Sequence, residues 1–259
     1  MAQRPTPRLL SVAKAWHLTP NMIRATFSGS ELEGFPVGRE GANCKLILPE
    51  PGESRASFAD RLANGRATLR RTYTVRYFRP DTLELDIDFV DHGDGGPASA
   101  WARTAGPGSF LGFSGPGPVK LARFHADHYL LAADMSALPV VGATLEAMPR
   151  DARGLALLEV TSEADIQQID APRGVEMRWM IHPEPHRASD AQLDALRQLD
   201  WPTGRIQTCI AGEHSTIRAM RTYLLGERRL PREDAYISGY WKIGLVEDEH
   251  QQLKRKEPA

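Results

Sequence analysis

The pattern of apolar residues changes at one point in this 259-residue sequence, and that change limits the possible folds more than any other feature. It follows the breaker Gly115-Pro116-Gly117-Pro118. Before it, short alternating runs are separated by Gly, Pro, Asn and Asp, which is typical of antiparallel strands. After it, continuous apolar runs alternate with helical segments, which is typical of a parallel sheet with crossover helices. We therefore predict two domains, residues 1–120 and 121–259.

The first domain is predicted to be a small antiparallel β-barrel. Its candidate strands show period-two alternation and are rich in the β-branched and aromatic residues that strands favour. Strands at this spacing are typical of such a barrel. The predicted strands are Leu9 to Leu18, Met22 to Ser28, Asn43 to Leu48, Thr68 to Tyr77, Leu83 to Val90 and Ser109 to Ser114.

The fourth predicted strand carries the sequence RTYTVR, from Arg71 to Arg76. Alternation places Arg71, Tyr73 and Val75 on one face, with Thr74 and Arg76 on the other. Such a strand can hold an anion at one end and a flat ring at the other. The alternative is an amphipathic hairpin with two solvated arginines.

A glycine-rich segment follows the fifth strand and reads HGDGGPASAWA, from His92 to Ala102. Pro97 suits the first position of a helix, so the free amides of Ala98 and Ser99 are predicted to point out of the helix N-terminus. That arrangement is an anion site, and the glycines let a ligand approach the backbone. The alternative is a flexible surface loop. The arginine strand and the glycine turn are about twenty residues apart, which favours one shared ligand.

Together, RTYTVR and DFVDHGDGGPASAWA resemble the flavin-binding half of the siderophore-interacting proteins, which are cytoplasmic flavin-dependent ferric-siderophore reductases. The C-terminal SGYWKIG and EDEHQQLKRKE resemble the end of the same family. The resemblance extends from about Leu10 to Glu257. It implies a two-domain ferredoxin-reductase-like fold, with an FAD-binding barrel, an NAD(P)H-binding α/β domain and a ferric siderophore as the transient substrate.

The resemblance also implies roles for particular residues. Arg71 would pair with the pyrophosphate of FAD, joined by the amides around Gly96 to Ser99. Tyr73 would lie against the isoalloxazine or its ribityl chain, and the Thr74 hydroxyl would lie near the flavin nitrogen that accepts hydride. For His92, a local hydrogen bond that fixes the turn is an equal alternative. The further implied FAD contacts are Arg76, Asp88, Phe89, Val90, His92, Gly95, Gly96, Pro97, Ala98 and Ser99.

The second domain is predicted to contain parallel strands at 128–133, 155–160, 177–181, 206–211 and 235–237. One helix is predicted over Ser189 to Leu199, where Ser189 and Gln192 have capping-box spacing. A second is predicted over Ser215 to Gly226, with its apolar residues on one side. The charged tail from Val246 to Lys256 is predicted to be a surface helix.

A parallel sheet of this kind binds ligands beyond the carboxyl ends of its strands. Asp134 and Ser136 follow the first strand and Glu213 follows the fourth, and by resemblance these residues would contact NAD(P)H. Trp241, by the same resemblance, would close over the isoalloxazine or the nicotinamide site. The alternatives are that Asp134 and Glu213 are ordinary helix caps and that Trp241 is simply buried. No GxGxxG follows the first strand, so the standard dinucleotide fingerprint is absent.

The sequence leaves the choice between NADH and NADPH open. Glu159, at the end of the second strand, would repel a 2′-phosphate, whereas Ser162 would accept one.

A site for an anionic ferric chelate would be open and basic, without strong protein ligands for iron. Its candidate residues are Lys45, Arg55, Arg61 and Lys242. For the segment that carries Arg55 and Arg61, the alternative is a solvated loop with a short helix.

Composition excludes several other classes of protein. The net charge of −1 gives no reason to expect a nucleic-acid partner. Only Cys44 and Cys209 occur, which excludes a disulfide framework and a four-cysteine iron–sulfur or zinc site. His182 and His186 are separated by two prolines and cannot share a helical face, so we expect no protein-held metal. The polar segment from Met1 to Leu9 has no signal-peptide core, and no run is long enough to cross a bilayer, so we expect a cytoplasmic protein. We also expect a monomer.

These features predict an oxidoreductase in which the cofactor carries the chemistry and the protein supplies position and electrostatics. The predicted function is reduction of ferric siderophores by NADPH or NADH through FAD. One alternative is a non-catalytic protein that binds flavin or a ferric chelate. The other is a flavin reductase that serves an unrelated acceptor.

Overall fold

The computed structural model of the protein describes residues 7–92, 96–245 and 249. The predictions for Gly95 and for the tail from Val246 to Lys256, residue 249 apart, lie outside the described residues. The chain divides into two compact units, Met1–Val119 and Lys120–Ala259. Every helix among the described residues is too short or too polar to cross a bilayer.

The first unit is an antiparallel sheet whose strands follow the alternation of the sequence. These strands are β1 (Arg8–Thr19), β2 (Met22–Ser28), β3 (Asn43–Ile47), β4 (Arg70–Thr74), β5 (Tyr77–Arg79), β6 (Glu84–Val90) and β7 (Phe110–Ser114). The α-helices of this unit are α1 (Arg55–Ala63) and α2 (Pro97–Thr104). The order of strands in the sheet is β4-β3-β7-β1-β2-β6-β5.

This sheet closes into a barrel because its two outer strands, β4 and β5, are consecutive in the chain. Val75 and Arg76 join them. The Val75 amide donates to the carbonyl of Ala42, next to β3, and the Arg76 amide donates to the carbonyl of Asp86 in β6, each over 2.9 Å. The chain therefore leaves one pairing partner and takes up the other between these two residues. The prediction of an antiparallel barrel is confirmed.

The predicted uninterrupted strand from Thr68 to Tyr77 is wrong, because β4 ends at Thr74. Simple alternation of faces does not extend to Val75 and Arg76, whose side chains are both buried. The physical reason is the change of pairing partner, which no local pattern encodes.

Apolar residues that alternate along the strands fill the barrel. Leu10, Phe27, Leu85 and Phe113 are each at most 1% exposed. The ring of Trp101 stacks on that of Phe27, with 6.3 Å between the ring centroids. This contact holds α2 against the barrel wall next to β6.

The second unit is a parallel sheet with helices between its strands. Its strands are β8 (His128–Ala133), β9 (Arg153–Val160), β10 (Gly174–Ile181), β11 (Ile206–Glu213) and β12 (Ala235–Trp241), and its α-helices are α3 (Leu138–Ala147), α4 (Ala191–Arg197) and α5 (His214–Arg221). The order is β10-β9-β8-β11-β12, and every neighbouring pair is parallel. The winding direction reverses between β8 and β11, and doubly wound sheets bind ligands at such a switch point. The α/β prediction is confirmed.

The predicted capping box of α4 is wrong. The N-cap residue is Asp190, and the side chain of Gln192 is buried. Its amide donates to the carbonyls of Ala133 (2.9 Å), the last residue of β8, and of Leu157 (3.1 Å) in β9. The Gln192 side chain therefore links the helix to the sheet. It bonds to buried carbonyls rather than to the exposed N-terminus of the helix, because buried polar groups need a partner in the protein whereas exposed ones can bond to water.

The helix predicted from Ser215 to Gly226 begins one residue earlier, at His214, and ends at Arg221. A π-helical turn over Thr222–Glu227 follows it. Glu213 is the N-cap residue of this helix.

We expect Gln192→Met to lower the free energy of unfolding by about 1–3 kcal/mol, because two buried carbonyls lose their donor. Urea denaturation followed by tryptophan fluorescence measures the change. The matched control is Gln198→Met, at the exposed C-terminal end of the same helix. It is expected to stay within about 0.5 kcal/mol of the wild type. Equal losses in the two variants would contradict the role assigned to the Gln192 amide.

Candidate functional site

The barrel has an edge that lacks a strand partner within the described residues. β5 pairs with β6 only from Glu84 to Asp86, so that edge of β6 is uncovered from Ile87 to Val90. The Tyr73 ring of β4 lies beside this stretch, 4.6 Å from the ring of Phe89 and tilted by 45°. We call this place, between Tyr73 of β4 and residues 87–90 of β6, the barrel edge.

The backbone of β6 presents polar groups to the barrel edge. The Asp86 carbonyl accepts from the Arg76 amide on this side. Since the backbone groups of an antiparallel strand point alternately to its two neighbours, those of Asp88 and Val90 point to the same side. A planar ligand at this edge would find both donors and acceptors there.

The side chain of Asp88 has a different role. Its carboxylate accepts from Nε and Nη2 of Arg24, over 2.6 and 2.7 Å, in a two-point contact. The Arg76 guanidinium lies 3.9 Å from the same carboxylate and 4.0 Å from the centroid of the Tyr77 ring. Arg76 and Asp88 are both buried, so we assign them to the wall of the barrel rather than to direct contact with a ligand.

Sequence reasoning missed Arg24. The signal lies in the register of β2 and β6, in which Arg24 stands directly opposite Asp88. Opposite charges at facing positions of two antiparallel strands are a recurring stabilising pair. The signal becomes visible only once the two strands are aligned.

Arg71 and Lys45 lie on opposite faces of the β3–β4 pair. Lys45 stands opposite Thr72 and donates to its hydroxyl, whereas Arg71 stands opposite Leu46 and shares the face of Tyr73. Arg71 is half-buried, and its Nη1 donates to the carbonyl of the preceding residue over 2.8 Å. The structure therefore groups Arg71 with Tyr73 and separates it from Lys45.

Among the described residues, the N-cap position of α2 provides no side-chain hydrogen bond to the first amides of the helix. Gly96 is the N-cap residue and Pro97 the first helical residue, as predicted. The amides of Ala98 and Ser99 belong to the first turn, which has no acceptor within the helix. The His92 ring lies close over Gly96, where a β-carbon would approach its Cε1 to 2.4 Å. The His92 ring therefore narrows the approach to these amides, and Gly96 adds no side chain to it.

Asp91 fixes α2 against the end of β6. Its Oδ1 accepts from the Ser99 hydroxyl (3.2 Å) and from Nε of Arg103 (2.7 Å). The Ser99 hydroxyl is therefore used inside the protein, and the predicted contribution of Ser99 to an anion site falls to its backbone amide.

Two of the basic residues predicted to bind substrate are engaged in the first unit. Arg61 donates to both Glu50 and Glu53 over 2.7 Å, and these glutamates neutralise its charge. Arg55, at the start of α1, donates to the hydroxyl of Ser11 over 2.8 Å. The short helix that carries both arginines has Ser54 as its N-cap, with the Ser57 amide donating to the Ser54 hydroxyl.

The four cofactor contacts predicted for the second domain form one cluster at the carboxyl ends of β8, β11 and β12. Asp134 lies at its centre: its Oδ1 accepts from the Ser136 amide (2.9 Å) and hydroxyl (2.5 Å), and its Oδ2 accepts from the indole N–H of Trp241 (2.7 Å). Glu213 caps α5 through the amides of Ser215 (2.6 Å) and Thr216 (3.1 Å). These contacts use most of the polar atoms that the sequence analysis assigned to a nucleotide.

Gly212 makes room for this cluster. Its φ of +153° lies outside the range that other residues favour, and a β-carbon there would stand 2.8 Å from Oδ2 of Asp134. The register of β11 and β12 shifts at the same place, between Gly212 and Glu213. This bulge aligns Glu213 with Trp241.

Burial raises the pKa of Asp134 above its ordinary value, against the opposing effect of the hydrogen bonds from Ser136 and Trp241. The folded chain therefore binds this proton more tightly than the unfolded chain does. The stability that Asp134 contributes is complete at low pH and falls as the pH rises through its folded pKa.

Lys242 lies outside this cluster, in an open groove of about 410 Å³ between α4 and α5. Arg197, Arg218 and His214 line the same groove, together with the acidic Glu227. Within the described residues no three metal-binding side chains converge on one point.

Comparison with known proteins agrees with this architecture. Residues 11–120 match the family profile of the siderophore-interacting FAD-binding domain, and residues 126–244 match that of the siderophore-interacting protein. The ferric vibriobactin reductase ViuB of Vibrio cholerae is 34% identical over 95% of this chain and 93% of its own length. The chain belongs to the siderophore-interacting protein family. The resemblance drawn from RTYTVR and the glycine-rich segment is thereby confirmed.

Solved structures of this family and its wider fold show the same arrangement of elements. The siderophore-interacting protein SipS from Aeromonas hydrophila has a TM-score of 0.84 and 35% identity, covering 96% of this chain and 97% of its own. A ferredoxin NADP+ reductase from Neisseria gonorrhoeae with bound FAD and NADP has a TM-score of 0.60 at 14% identity, covering 85% of this chain and 91% of its own. The second likeness concerns the fold alone and confirms the ferredoxin-reductase-like architecture.

The indole N–H of Trp241 is expected to report the ionisation of Asp134. Protonation of the carboxylate weakens its acceptor strength, so the indole resonance in ¹H–¹⁵N NMR spectra should move upfield as the pH falls. The midpoint should lie above the ordinary aspartate value because burial raises this pKa. Trp241→Phe assigns the resonance, and Asp134→Asn should abolish its titration. A midpoint at or below the ordinary value would contradict the burial of this carboxylate.

Proposed function

We propose that this protein is a ferric-siderophore reductase that uses FAD and takes its electrons from NADH or NADPH. The observation that carries the proposal is the barrel edge next to the uncapped N-terminus of α2, in a chain of this family. The isoalloxazine ring system and the pyrophosphate are two of the parts of FAD, and the barrel edge and the N-terminus of α2 suit one of them each.

The first unit has the groups that such a cofactor needs. Tyr73 offers an aromatic face at the barrel edge, and the backbone of Asp88 and Val90 offers donors and acceptors to a ring. The amides of Ala98 and Ser99 and the guanidinium of Arg71 supply positive potential for a pyrophosphate. Thr74, at the end of β4, is 5% exposed. Its hydroxyl would therefore bond only to a ring nitrogen that lies directly against it.

When bound, FAD supplies the redox chemistry, accepting hydride from the nicotinamide and passing single electrons to Fe(III). The residues of the chain then have three tasks: they bind the dinucleotide, orient its ring, and leave one side open to a bulky substrate. Neither an acid nor a base is required of the protein. The substrate holds its own iron through hard oxygen ligands, which bind Fe(II) far more weakly than Fe(III), so reduction releases the metal.

The assignment of substrate contacts remains a proposal. Of the basic candidates in the first unit, Lys45 donates to the hydroxyl of Thr72, on the face of the β3–β4 pair opposite to Arg71. Arg61 is neutralised by two glutamates, so it is the weaker candidate. In the second unit, Lys242 is the candidate, in its basic groove.

We also propose that the protein acts in the cytoplasm, where reduced nicotinamide nucleotides are available, and that it acts as a monomer. Cell fractionation tests the first point, and light scattering of the purified protein tests the second.

An anaerobic titration tests the proposed function. The purified protein should be yellow, its flavin absorbance should bleach on addition of NADH or NADPH, and a ferric siderophore should restore the colour. If neither nucleotide bleaches the flavin, the protein is a flavin-binding or ferric-chelate-binding protein without this donor. If a nucleotide bleaches it and only oxygen restores the colour, the protein is a flavin reductase for another acceptor.

Arg71→Ala is expected to weaken FAD binding by about 10–100-fold, because it removes a charge-assisted contact to the pyrophosphate. Fluorescence titration of the apoprotein with FAD measures the affinity. The control is Arg70→Ala, which removes the same charge from the neighbouring exposed residue on the opposite face of β4. Unchanged FAD affinity in Arg71→Ala, or an equal loss in both variants, would contradict the assignment.

A further inference from the structure

Asp88 brings a negative charge close to the barrel edge. Its backbone groups point to the uncovered side of β6. The carboxylate belongs to the same residue, so no more than the length of one side chain separates its charge from those backbone groups. The Asp88 side chain is only 1% exposed. Water therefore screens this charge poorly, and a ligand at the barrel edge would be strongly affected by it.

Arg24 neutralises this charge from the neighbouring strand. It stands opposite Asp88 in the register of β2 and β6, and its Nε and Nη2 donate to the two carboxylate oxygens over 2.6 and 2.7 Å. Burial lowers the pKa of Arg24, but the contact with Asp88 outweighs this effect and leaves the pKa raised. The guanidinium therefore stays charged. The guanidinium of Arg76, 3.9 Å from the same carboxylate, is a second and more distant cation there.

β6 carries a second contact of this kind, which lies away from the uncovered stretch. Asp86 accepts from Nη1 and Nη2 of Arg79 over 2.9 and 2.8 Å. β5 covers β6 at this point, because Asp86 pairs with Tyr77. The Arg79 side chain is 38% exposed, whereas that of Arg24 is 12% exposed. The chain therefore contains two similar arginine–aspartate contacts, of which only the one at Arg24 adjoins the barrel edge and is shielded from water.

We propose that Arg24 determines the charge that acts on a flavin ring at the barrel edge, by neutralising Asp88, and that it thereby raises the reduction potential of the bound flavin. The inference rests on the proposed function, because it concerns the same flavin. Hydride transfer to the flavin adds one negative charge to the ring. An uncompensated carboxylate beside the ring would oppose this change, whereas the neutralised pair does not. Arg24 is a positioning residue in this assignment, because it acts through Asp88 and does not touch the ring.

The experiment measures the midpoint potential of FAD bound to the full-length protein, by anaerobic reduction together with a reference dye of known potential. We expect Arg24→Gln to lower the potential, because it removes the positive charge and leaves Asp88 in place. The ratio of the affinities for reduced and oxidised FAD should fall about tenfold, which corresponds to about 30 mV for a two-electron couple. Asp88→Asn removes the negative charge instead, and we expect it to raise the potential.

The opposite signs of these two shifts separate the proposed role from a purely structural one. Both substitutions disrupt the same contact, so a structural role would change the potential in the same direction in both variants. Arg24→Lys keeps the charge and is expected to stay close to the wild-type potential. The matched control is Arg79→Gln, which removes the same charge from the contact with Asp86. It should shift the potential much less than Arg24→Gln does, because its charge lies farther from the barrel edge and is screened by water.

Circular dichroism of each variant establishes that it is folded. If Arg24→Gln does not fold, the sign of the shift in Asp88→Asn decides the question. The inference is overturned if Arg24→Gln and Asp88→Asn shift the potential in the same direction or leave it unchanged. It is also overturned if Arg79→Gln shifts the potential as far as Arg24→Gln does.

These outcomes are separable from those of the anaerobic titration with nucleotides. Bleaching of the wild-type flavin by NADH or NADPH, with unchanged potentials in the variants, removes this inference and leaves the proposed function in place. Opposite shifts in a protein whose flavin neither nucleotide bleaches remove the proposed function and leave the role of Arg24. A wild-type protein that binds no FAD removes both.

Discussion

The change of pairing partner at Val75 and Arg76 is the constraint on which the first unit depends. At these residues the chain passes from β3 to β6, and both residues are bonded through their backbone amides as it does so. Because β5 then follows β6 for only three residues, the rest of β6 is left beside β4 without a ladder between them. The closure of the barrel and the opening at its edge are thus consequences of the same short connection. The arginine and tyrosine of β4 lie just before it, which is why they border the opening.

A single buried carboxylate has the corresponding role in the second unit. Asp134 draws together the end of β8, the first turn before α3 and the end of β12. A dinucleotide fold with a glycine-rich first turn offers its helix amides to a pyrophosphate, whereas here Asp134 has already accepted from the amides at that turn. The first turn of this sheet therefore has the Asp134 carboxylate as an acceptor for its amides, where a sheet with GxGxxG would have the pyrophosphate. A nucleotide at this end of the sheet must be held by other groups.

The sequence predicted well wherever a local pattern determines the structure. Period-two alternation located β2 and β6 closely, and Pro97 located the start of α2, because each depends on neighbours in the chain. The sequence-based prediction failed where a contact with a residue far away in the chain determines the local structure. The break in the fourth predicted strand depends on β6, and the role of Gln192 depends on two carbonyls in separate strands. The candidate site shows the same division: the strand pattern predicted that Asp134, Ser136 and Glu213 follow strands, but the hydrogen bonds of Asp134 to Ser136 and Trp241 are visible only in three dimensions.

Gly212 and Asp134 have a consequence for how this chain can change over evolutionary time. A β-carbon at position 212 would collide with the carboxylate, so a larger residue there requires a shorter one at 134. Shortening residue 134 in turn removes the acceptor for the Trp241 indole. The three positions therefore form an epistatic set: the cost of a substitution at one of them depends on the residues at the other two. Relatives that carry a larger residue at the position of Gly212 are expected to differ at the positions of Asp134 and Trp241 as well.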